Sequence, residues 1–377
     1  MAAPSDRIPV SIITGFLGAG KSTLLNRLLR DPDMRDTAVI INEFGEVGID
    51  HLLVESSGDA MVELSNGCLC CTVRGELTDT LVSLREGLAT GRVKALRRVV
   101  IETTGLADPA PVIQSIIGEP DISRDFALDG VITLVDAVNG LSTLDHHQEA
   151  RRQVAMADRL VVTKKTLAAP GALPALEDRL SALNPIASVI DGDTPDAARF
   201  ALLACGLYDP ATKVADVSRW LHDEASHHHH HDDHDHHDHH DHDHSHDHHH
   251  HHDESIRSFS IIHDRPIEPA AIGMFVDLLR SAHSEKLLRM KAVVQLADDP
   301  DRPLVLHGVQ AVFHQPERLP RWPDPSDRRT RMVLITKDLP PEFVQSLFDA
   351  FTGTPRVDQA DRQALEDNPL AIPGMRF

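Results

Sequence analysis

Basic charge is what this 377-residue chain is short of. Its 37 Lys and Arg face 58 Asp and Glu, a formal net charge of −21. A nucleic-acid binder carries a basic stripe, so that class of partner is set aside. An acidic surface suits cations and basic partners better. Long apolar runs are also missing: none reaches the roughly 18 residues of a membrane span, so no membrane partner is expected. The stretch from Ile8 to Gly20 could imitate a signal-peptide core, but its leader holds only Arg7 as a basic residue. Cysteine is scarce. There are four, and three of them, Cys68, Cys70 and Cys71, fall within four residues. Neighbours this close rarely bridge each other, which excludes a disulfide framework and points to thiols in a cytoplasmic protein. What is present is an ordinary apolar fraction of 41%, enough for real cores. The length leaves room for two domains.

The stretch that organises the chain is Gly15-Phe-Leu-Gly-Ala-Gly20-Lys21-Ser22-Thr23. It fits the phosphate-loop pattern, in which glycines let backbone N–H groups curl around phosphates. An apolar run, Ile8 to Ile13, precedes it and reads as a buried parallel strand. A helical pattern follows, with Leu24, Leu25, Leu28 and Leu29 on one face. A helix N-terminus at this point adds partial positive charge. Lys21 is placed to reach the β- and γ-phosphates, and Ser22 to bind Mg²⁺ through its hydroxyl.

Further short apolar runs read as strands: Ala38 to Ile41, Arg98 to Ile101, Val131 to Asp136, Leu160 to Lys164 and Ser188 to Ile190. They alternate with helical segments, one of them Leu173 to Leu183, so an α/β fold with a mostly parallel sheet is expected. A last helix is expected from Pro195 to Ala204. Loops at the carboxyl ends of such strands face the ligand crevice. Two of them carry acids. After Asn42 come Glu43 and Glu46, which could meet a metal or simply be solvated. After Ile101 comes Glu102-Thr103-Thr104-Gly105, an acid and a glycine where Mg²⁺ and the γ-phosphate would be sensed.

Three soft thiols at Cys68, Cys70 and Cys71 can share one d¹⁰ ion such as Zn²⁺ or Cu(I). A tetrahedral zinc site needs a fourth ligand, and paired C-x-x-C spacing is absent, so the set suits a site that gives its metal up. Three buried, inert cysteines are the other reading. Residues 227 to 252 hold 18 His, 7 Asp and 1 Ser. Such a tract cannot bury apolar area and reads as a disordered linker. Imidazole and carboxylate together bind Zn²⁺, Ni²⁺, Co²⁺ and Cu²⁺ with little discrimination, which suits a local metal buffer, or the tract is a plain spacer. Strands at Ser258 to Ile262, Met290 to Leu296, Leu304 to Val312 and Arg331 to Thr336, with helices at Pro269 to Ala282 and Pro341 to Phe351, make a smaller α+β module. His307 and His314 read as sheet residues, with metal ligation as the alternative.

GFLGAGKST, NEFGEVGID, NGCLCC and ETTGLADP, in that order and spacing, resemble the CobW-type GTPases, which are similar to the urease- and hydrogenase-maturation GTPases. The resemblance covers roughly residues 8 to 205, and the carboxyl-terminal module looks like the family's second domain. It implies a P-loop NTPase domain over residues 1–208, a His/Asp-rich linker over 209–255 and an α+β domain over 256–377. It also implies slow GTP hydrolysis coupled to delivery of a metal to a client metalloenzyme. The metal is mostly Zn²⁺, and in some branches Co²⁺ for cobalamin synthesis. Carried over residue by residue, Gly15, Gly18, Ala19, Gly20, Lys21, Ser22 and Thr23 would hold the nucleotide phosphates and Mg²⁺. Glu102 and Gly105 would be the Mg²⁺ and γ-phosphate elements. Cys68, Cys70 and Cys71, with Glu46, would bind the transported metal. A nucleotide-dependent metal store without delivery is the runner-up, and a homo-oligomer is compatible with either.

One departure stands out. The family's guanine-reading motif is [NT]-K-x-D, and here the residues are Thr163-Lys164-Lys165-Thr166. Thr163 and Lys164 can still line the base. Thr166 replaces the acid, and one hydroxyl cannot reproduce a bidentate, charge-assisted pair to guanine.

Overall fold

The computed structural model describes residues 7–42, 61–63, 69–72, 77–205 and 256–353. The first sheet has eight strands. They are β1 (Ile8–Gly15), β2 (Thr37–Asn42), β3 (Met61–Glu63), β4 (Leu69–Thr72), β5 (Arg98–Thr103), β6 (Phe126–Asp136), β7 (Arg159–Thr163) and β8 (Ser188–Asp191). Their order is β3-β4-β2-β5-β1-β6-β7-β8, all parallel except β3, which runs antiparallel to β4. β5 and β6 are buried along their whole length. That is why they read as apolar runs rather than alternating patterns: helices cover both faces of a parallel sheet.

Among the described residues, seven helices go with this sheet: α1 (Lys21–Leu28), α2 (Leu77–Thr90), α3 (Ala110–Gly118), α4 (Pro120–Ser123), α5 (Gly140–His146), α6 (Gln148–Ala155) and α7 (Ala172–Leu183). α1 buries Leu24, Leu25 and Leu28, the stripe seen in the sequence. The expected helix from Pro195 to Ala204 does not form as one element. Two short 3₁₀ turns, Pro195–Ala198 and Phe200–Leu202, flank an extended Arg199. Asp31 explains the break. Its carboxylate accepts the N–H of Phe200 at 2.8 Å, a donor that a continuous helix would need. The N–H groups of Asp33 and Phe200 together hold the Asp31 carboxyl below the usual range.

The second sheet is antiparallel and has six strands: β9 (Ile256–His263), β10 (Leu287–Val294), β11 (Leu304–Val309), β12 (Val312–Phe313), β13 (Glu317–Arg318) and β14 (Thr330–Lys337). The expected single strand from Leu304 to Val312 is a tight hairpin instead, turned at Gln310 with φ +52°. Helices α8 (Pro269–Ala282) and α9 (Pro341–Thr352) cover one face, meeting edge-to-face at Phe275 and Phe348. Met290, Ala292 and Val294 point into that helix layer. The alternation of a strand sends Arg289 and Lys291 the other way, toward the first sheet. On this side Leu288, Val309 and Ile335 join one core with Ile113 and Ile116 of α3.

Two buried ion pairs fasten this contact. Asp158, at the α6–β7 corner, pairs with Arg289 and, at 3.1 Å, with Lys291, and it accepts the Val131 N–H at 3.0 Å. Burial alone would raise the Asp158 carboxyl. Arg289 and Lys291 outweigh it and hold the group below the usual carboxylate range.

Candidate functional site

The carboxyl ends of β1, β5, β6, β7 and β8 lie along one edge of the first sheet, and the loops that leave them form a cleft there. Ligands bind at this edge in open α/β sheets. The cleft contains a cavity of about 350 Å³, walled by Leu17, Gly18, Gly20 to Thr23, Ile41 and residues 102–105.

The loop after β1 bends where only glycine is comfortable. Gly15, Gly18 and Gly20 have φ of +141°, +75° and +95°. At Gly15 a Cβ would lie 2.5 Å from the Leu134 carbonyl oxygen of the neighbouring strand. Gly20 is the N-cap of α1, with no side-chain cap and no acid in the first turn. The first N–H groups of that helix therefore remain for an anion. Lys21 curls over its own loop, its Nζ donating to the carbonyls of Gly15 at 2.8 Å and Phe16 at 3.2 Å.

Ser22 and Glu102 meet across the cavity floor. The Ser22 hydroxyl donates to Glu102 Oε1 at 2.9 Å, and Glu102 is 6% exposed. A hydroxyl and a carboxylate are hard oxygen donors, the ligand type that suits Mg²⁺. Gly105 presses on the phosphate loop: a Cβ there would lie 2.7 Å from the Leu17 nitrogen. Three residues on, Asp108 accepts the Ala110 N–H at 2.9 Å and opens α3.

The β7 end of the cleft rests on side chains. Thr163 donates to the Ala19 carbonyl at 2.9 Å, tying the end of β7 to the phosphate loop. Lys164 ends the expected strand one residue early, in a left-handed conformation at φ +58°. Its Nζ donates to Asp136 Oδ2 at 2.7 Å. Burial pushes the Asp136 carboxyl up, but Lys164, the Val138 N–H and the Asn139 amide together hold it below the usual range. The Asp193 carboxylate accepts from the N–H of Lys164 at 3.0 Å and of Lys165 at 2.7 Å. Thr166 lies in the 3₁₀ turn Lys165–Leu167 that follows.

The structure thus brings together Gly15, Gly18, Ala19, Gly20, Lys21, Ser22, Thr23, Glu102, Gly105, Thr163 and Lys164. Cys68, Glu46 and the His-rich tract lie outside the described residues. Cys70 and Cys71 are on β4, where they pair with Val39 and Ile40 of β2. Ile40 in turn pairs with Ile101 of β5, so Cys71 stands in the same row of the sheet as the residue before Glu102. Two strand spacings, about 10 Å, separate those backbones. Among the described residues no group of three His, Cys, Asp or Glu side chains could hold a metal ion. Nor is any helix among them long and apolar enough to cross a membrane.

Sequence reasoning passed over Asp136, Asp193 and Gln153 of α6, whose amide donates to the carbonyls of Gly105 and Ala107. Asp136 was visible as the acid closing the run Val131 to Val135. The other two carry no local signal, because their partners are backbone groups far away in the chain.

The comparisons agree with this geometry. Residues 9–191 match the model of the CobW/HypB/UreG nucleotide-binding domain, and residues 256–352 that of the cobalamin synthesis protein CobW carboxyl-terminal domain. The chain is 31% identical over 344 residues to the zinc chaperone YjiA of Escherichia coli (strain K12), covering 90% of this chain and 98% of that one. It is 30% identical over 365 residues to the zinc chaperone CobW of a Sinorhizobium species, covering 88% and 94%. The crystal structure of the Zn(II)-bound YjiA GTPase from E. coli superposes with a TM-score of 0.65, at 30% identity, over 92% of this chain and 99% of that one. On these grounds the chain belongs to the CobW family, with a CobW/HypB/UreG nucleotide-binding domain followed by a CobW carboxyl-terminal domain.

Proposed function

We propose that this P-loop GTPase is a metallochaperone: it binds Zn²⁺ at Cys68, Cys70 and Cys71, with Glu46 as a further ligand, and couples GTP hydrolysis to handing the ion to a client protein in the cytoplasm. The observation that carries the coupling is the sheet register. The strand bearing Cys70 and Cys71 is joined through β2 to the strand that carries Glu102. Two relatives matched over nearly their whole length are zinc chaperones, which supports zinc as the cargo.

In this reading the chain divides into a GTPase domain (1–208), a His/Asp-rich linker (209–255) and a carboxyl-terminal domain (256–377). The N–H groups at the start of α1 and the loop Gly15 to Gly20 cradle the phosphates, and Lys21 swings from its own carbonyls onto the β- and γ-phosphates. Ser22 and Glu102 would hold Mg²⁺, which when bound neutralises charge on the phosphates. The Gly105 N–H meets the γ-phosphate. Thr163 and Lys164 line the base. Loss of the γ-phosphate releases the loops after Asn42 and Glu102, and the thiol site between them in sequence changes geometry.

The test is GTP turnover with and without Zn²⁺ in the parent and in a Cys70→Ser, Cys71→Ser variant. Turnover that rises with Zn²⁺ only in the parent is expected. Equal stimulation in both removes the coupling. The 18 His of the tract favour a second reading, a metal store. Deleting residues 227–252 would then remove most zinc capacity, while a chaperone keeps its tight thiol site.

A further inference from the structure

The loop after β5 is held from behind by a residue that the phosphate-site pattern does not contain. Gln153, on α6, is 1% exposed. Its Nε2 donates to the carbonyls of Gly105 at 3.1 Å and Ala107 at 3.0 Å. Within the loop, the Ala107 N–H returns to the Thr104 carbonyl at 3.2 Å. In a trans peptide C=O and N–H point in opposite directions. A Thr104 carbonyl turned toward Ala107 therefore turns the Gly105 N–H away from the loop's interior. Gly105 itself borders the cavity and touches the phosphate loop.

The helix carrying Gln153 is a rigid platform. Thr133 donates to the Gln153 carbonyl at 2.8 Å. Asn184 donates to the carbonyls of Val154 and Ala157 at 2.7 and 2.9 Å. Arg289, from the second sheet, donates to the Met156 carbonyl at 2.6 Å. These donors satisfy the carbonyls at the end of α6 that the helix itself leaves open. Beside Gln153, Arg152 pairs with Asp108 at 3.0 Å and holds the far side of the same loop. Positioning groups work when they are themselves fixed in this way. The Gln153 amide is a costly choice for packing alone. Among the described residues its Oε1 is buried without a hydrogen-bond donor, and a buried amide left half satisfied costs stability. An apolar side chain of similar size would avoid that cost but could not hold the two carbonyls.

We infer that Gln153 is a positioning residue for the γ-phosphate: by clamping the carbonyls of Gly105 and Ala107 to α6, it holds the Gly105 N–H in the orientation that distinguishes GTP from GDP. The inference rests on the nucleotide reading above. GDP lacks the group that the loop would sense, so the two nucleotides separate this role from a general one in folding.

The experiment measures the affinity of the full chain for GDP and for a non-hydrolysable GTP analogue in the parent, Gln153→Leu and Arg152→Gln, with steady-state GTP hydrolysis beside it. In Gln153→Leu the GTP-to-GDP affinity ratio and kcat fall by about tenfold to a hundredfold, the scale of two buried hydrogen bonds, while GDP affinity stays at the parent's value. Arg152→Gln acts from a half-buried position that folding tolerates, and it shifts the ratio the same way by about two- to fivefold, the scale of a partly exposed ion pair. An unchanged ratio in both variants, or GDP and GTP affinity falling together, overturns the role of Gln153. A parent that binds neither nucleotide, or binds both without needing Lys21, overturns the nucleotide reading itself and this inference with it.

Discussion

In the proposed reading, the binding groups at the phosphate end of the cleft are mainly backbone: N–H groups of a glycine loop and a helix start, beside a cavity of about 350 Å³ whose lining includes the charged or metal-ligating side chains of Lys21, Ser22 and Glu102. At the base end they are side chains holding side chains and turns: Lys164 on Asp136, and Asp193 on the N–H groups of Lys164 and Lys165. The phosphate end accordingly depends on where glycine stands, and one pattern of nine residues specifies it. The base end depends on pairwise contacts that can be exchanged, and there this chain departs from its family, with Thr166 where the family motif has an acid. A phosphate cradle tolerates little variation because its geometry is steric. A base pocket can lose one acceptor and keep its scaffold.

The largest effect expected from this contrast is at Lys21. In Lys21→Ala, GTP hydrolysis falls by about 10²- to 10³-fold, the usual scale for removing one charge-stabilising donor. Single-turnover measurement checks it, and a loss smaller than that from any base-end variant would invert the comparison. Next is Thr166→Asp. A restored carboxylate could accept two guanine donors, so GDP binding should tighten relative to ADP by about tenfold to a hundredfold, the range of hydrogen bonds to a charged group. Unaltered GDP-over-ADP preference in competitive binding would mean that this turn does not face the base.

The smallest effect is at Asp136→Asn. The Lys164 pair is partly exposed, and such pairs are worth up to about 1 kcal/mol. The Asp136 carboxyl is held below the usual range in the folded chain. Its contribution is therefore fully present above the unfolded carboxylate value, about 3.9, and is lost as pH falls through the lower folded value. Urea midpoints of parent and variant should run parallel from pH 5 to 8 and converge only below about pH 4.

Most of the fold was legible in the residues because parallel strands are buried on both faces and read as apolar runs. β1, β2, β5, β6 and β7 were all visible this way, and β8, at the sheet edge with Val189 exposed, by its short β-branched run. α8 begins and ends where expected, at Pro269 and Ala282, because Pro fits the first turn of a helix. The failures share one cause, tertiary contacts that override local preference. Asp31 takes a donor from the Pro195–Ala204 segment, and Gln310 turns a strand into a hairpin. Arg289 and Lys291 are the sharpest case. The expected strand began only at Met290, whereas β10 (Leu287–Val294) starts earlier and includes Arg289. In the structure both are buried because Asp158, more than a hundred residues earlier, neutralises them. At the site, the phosphate loop, Glu102 and Gly105 could be read from spacing. Gln153 could not, since its partners are two carbonyls on another loop.

The central claim is that triphosphate occupancy and zinc affinity are linked in one chain. Titration calorimetry of Zn²⁺ into the full chain, loaded with Mg²⁺ and either GDP or a non-hydrolysable GTP analogue, tests it directly. The account predicts two different zinc dissociation constants at the thiol site, with the difference abolished in Cys70→Ser, Cys71→Ser. Identical constants in the two nucleotide states would contradict it.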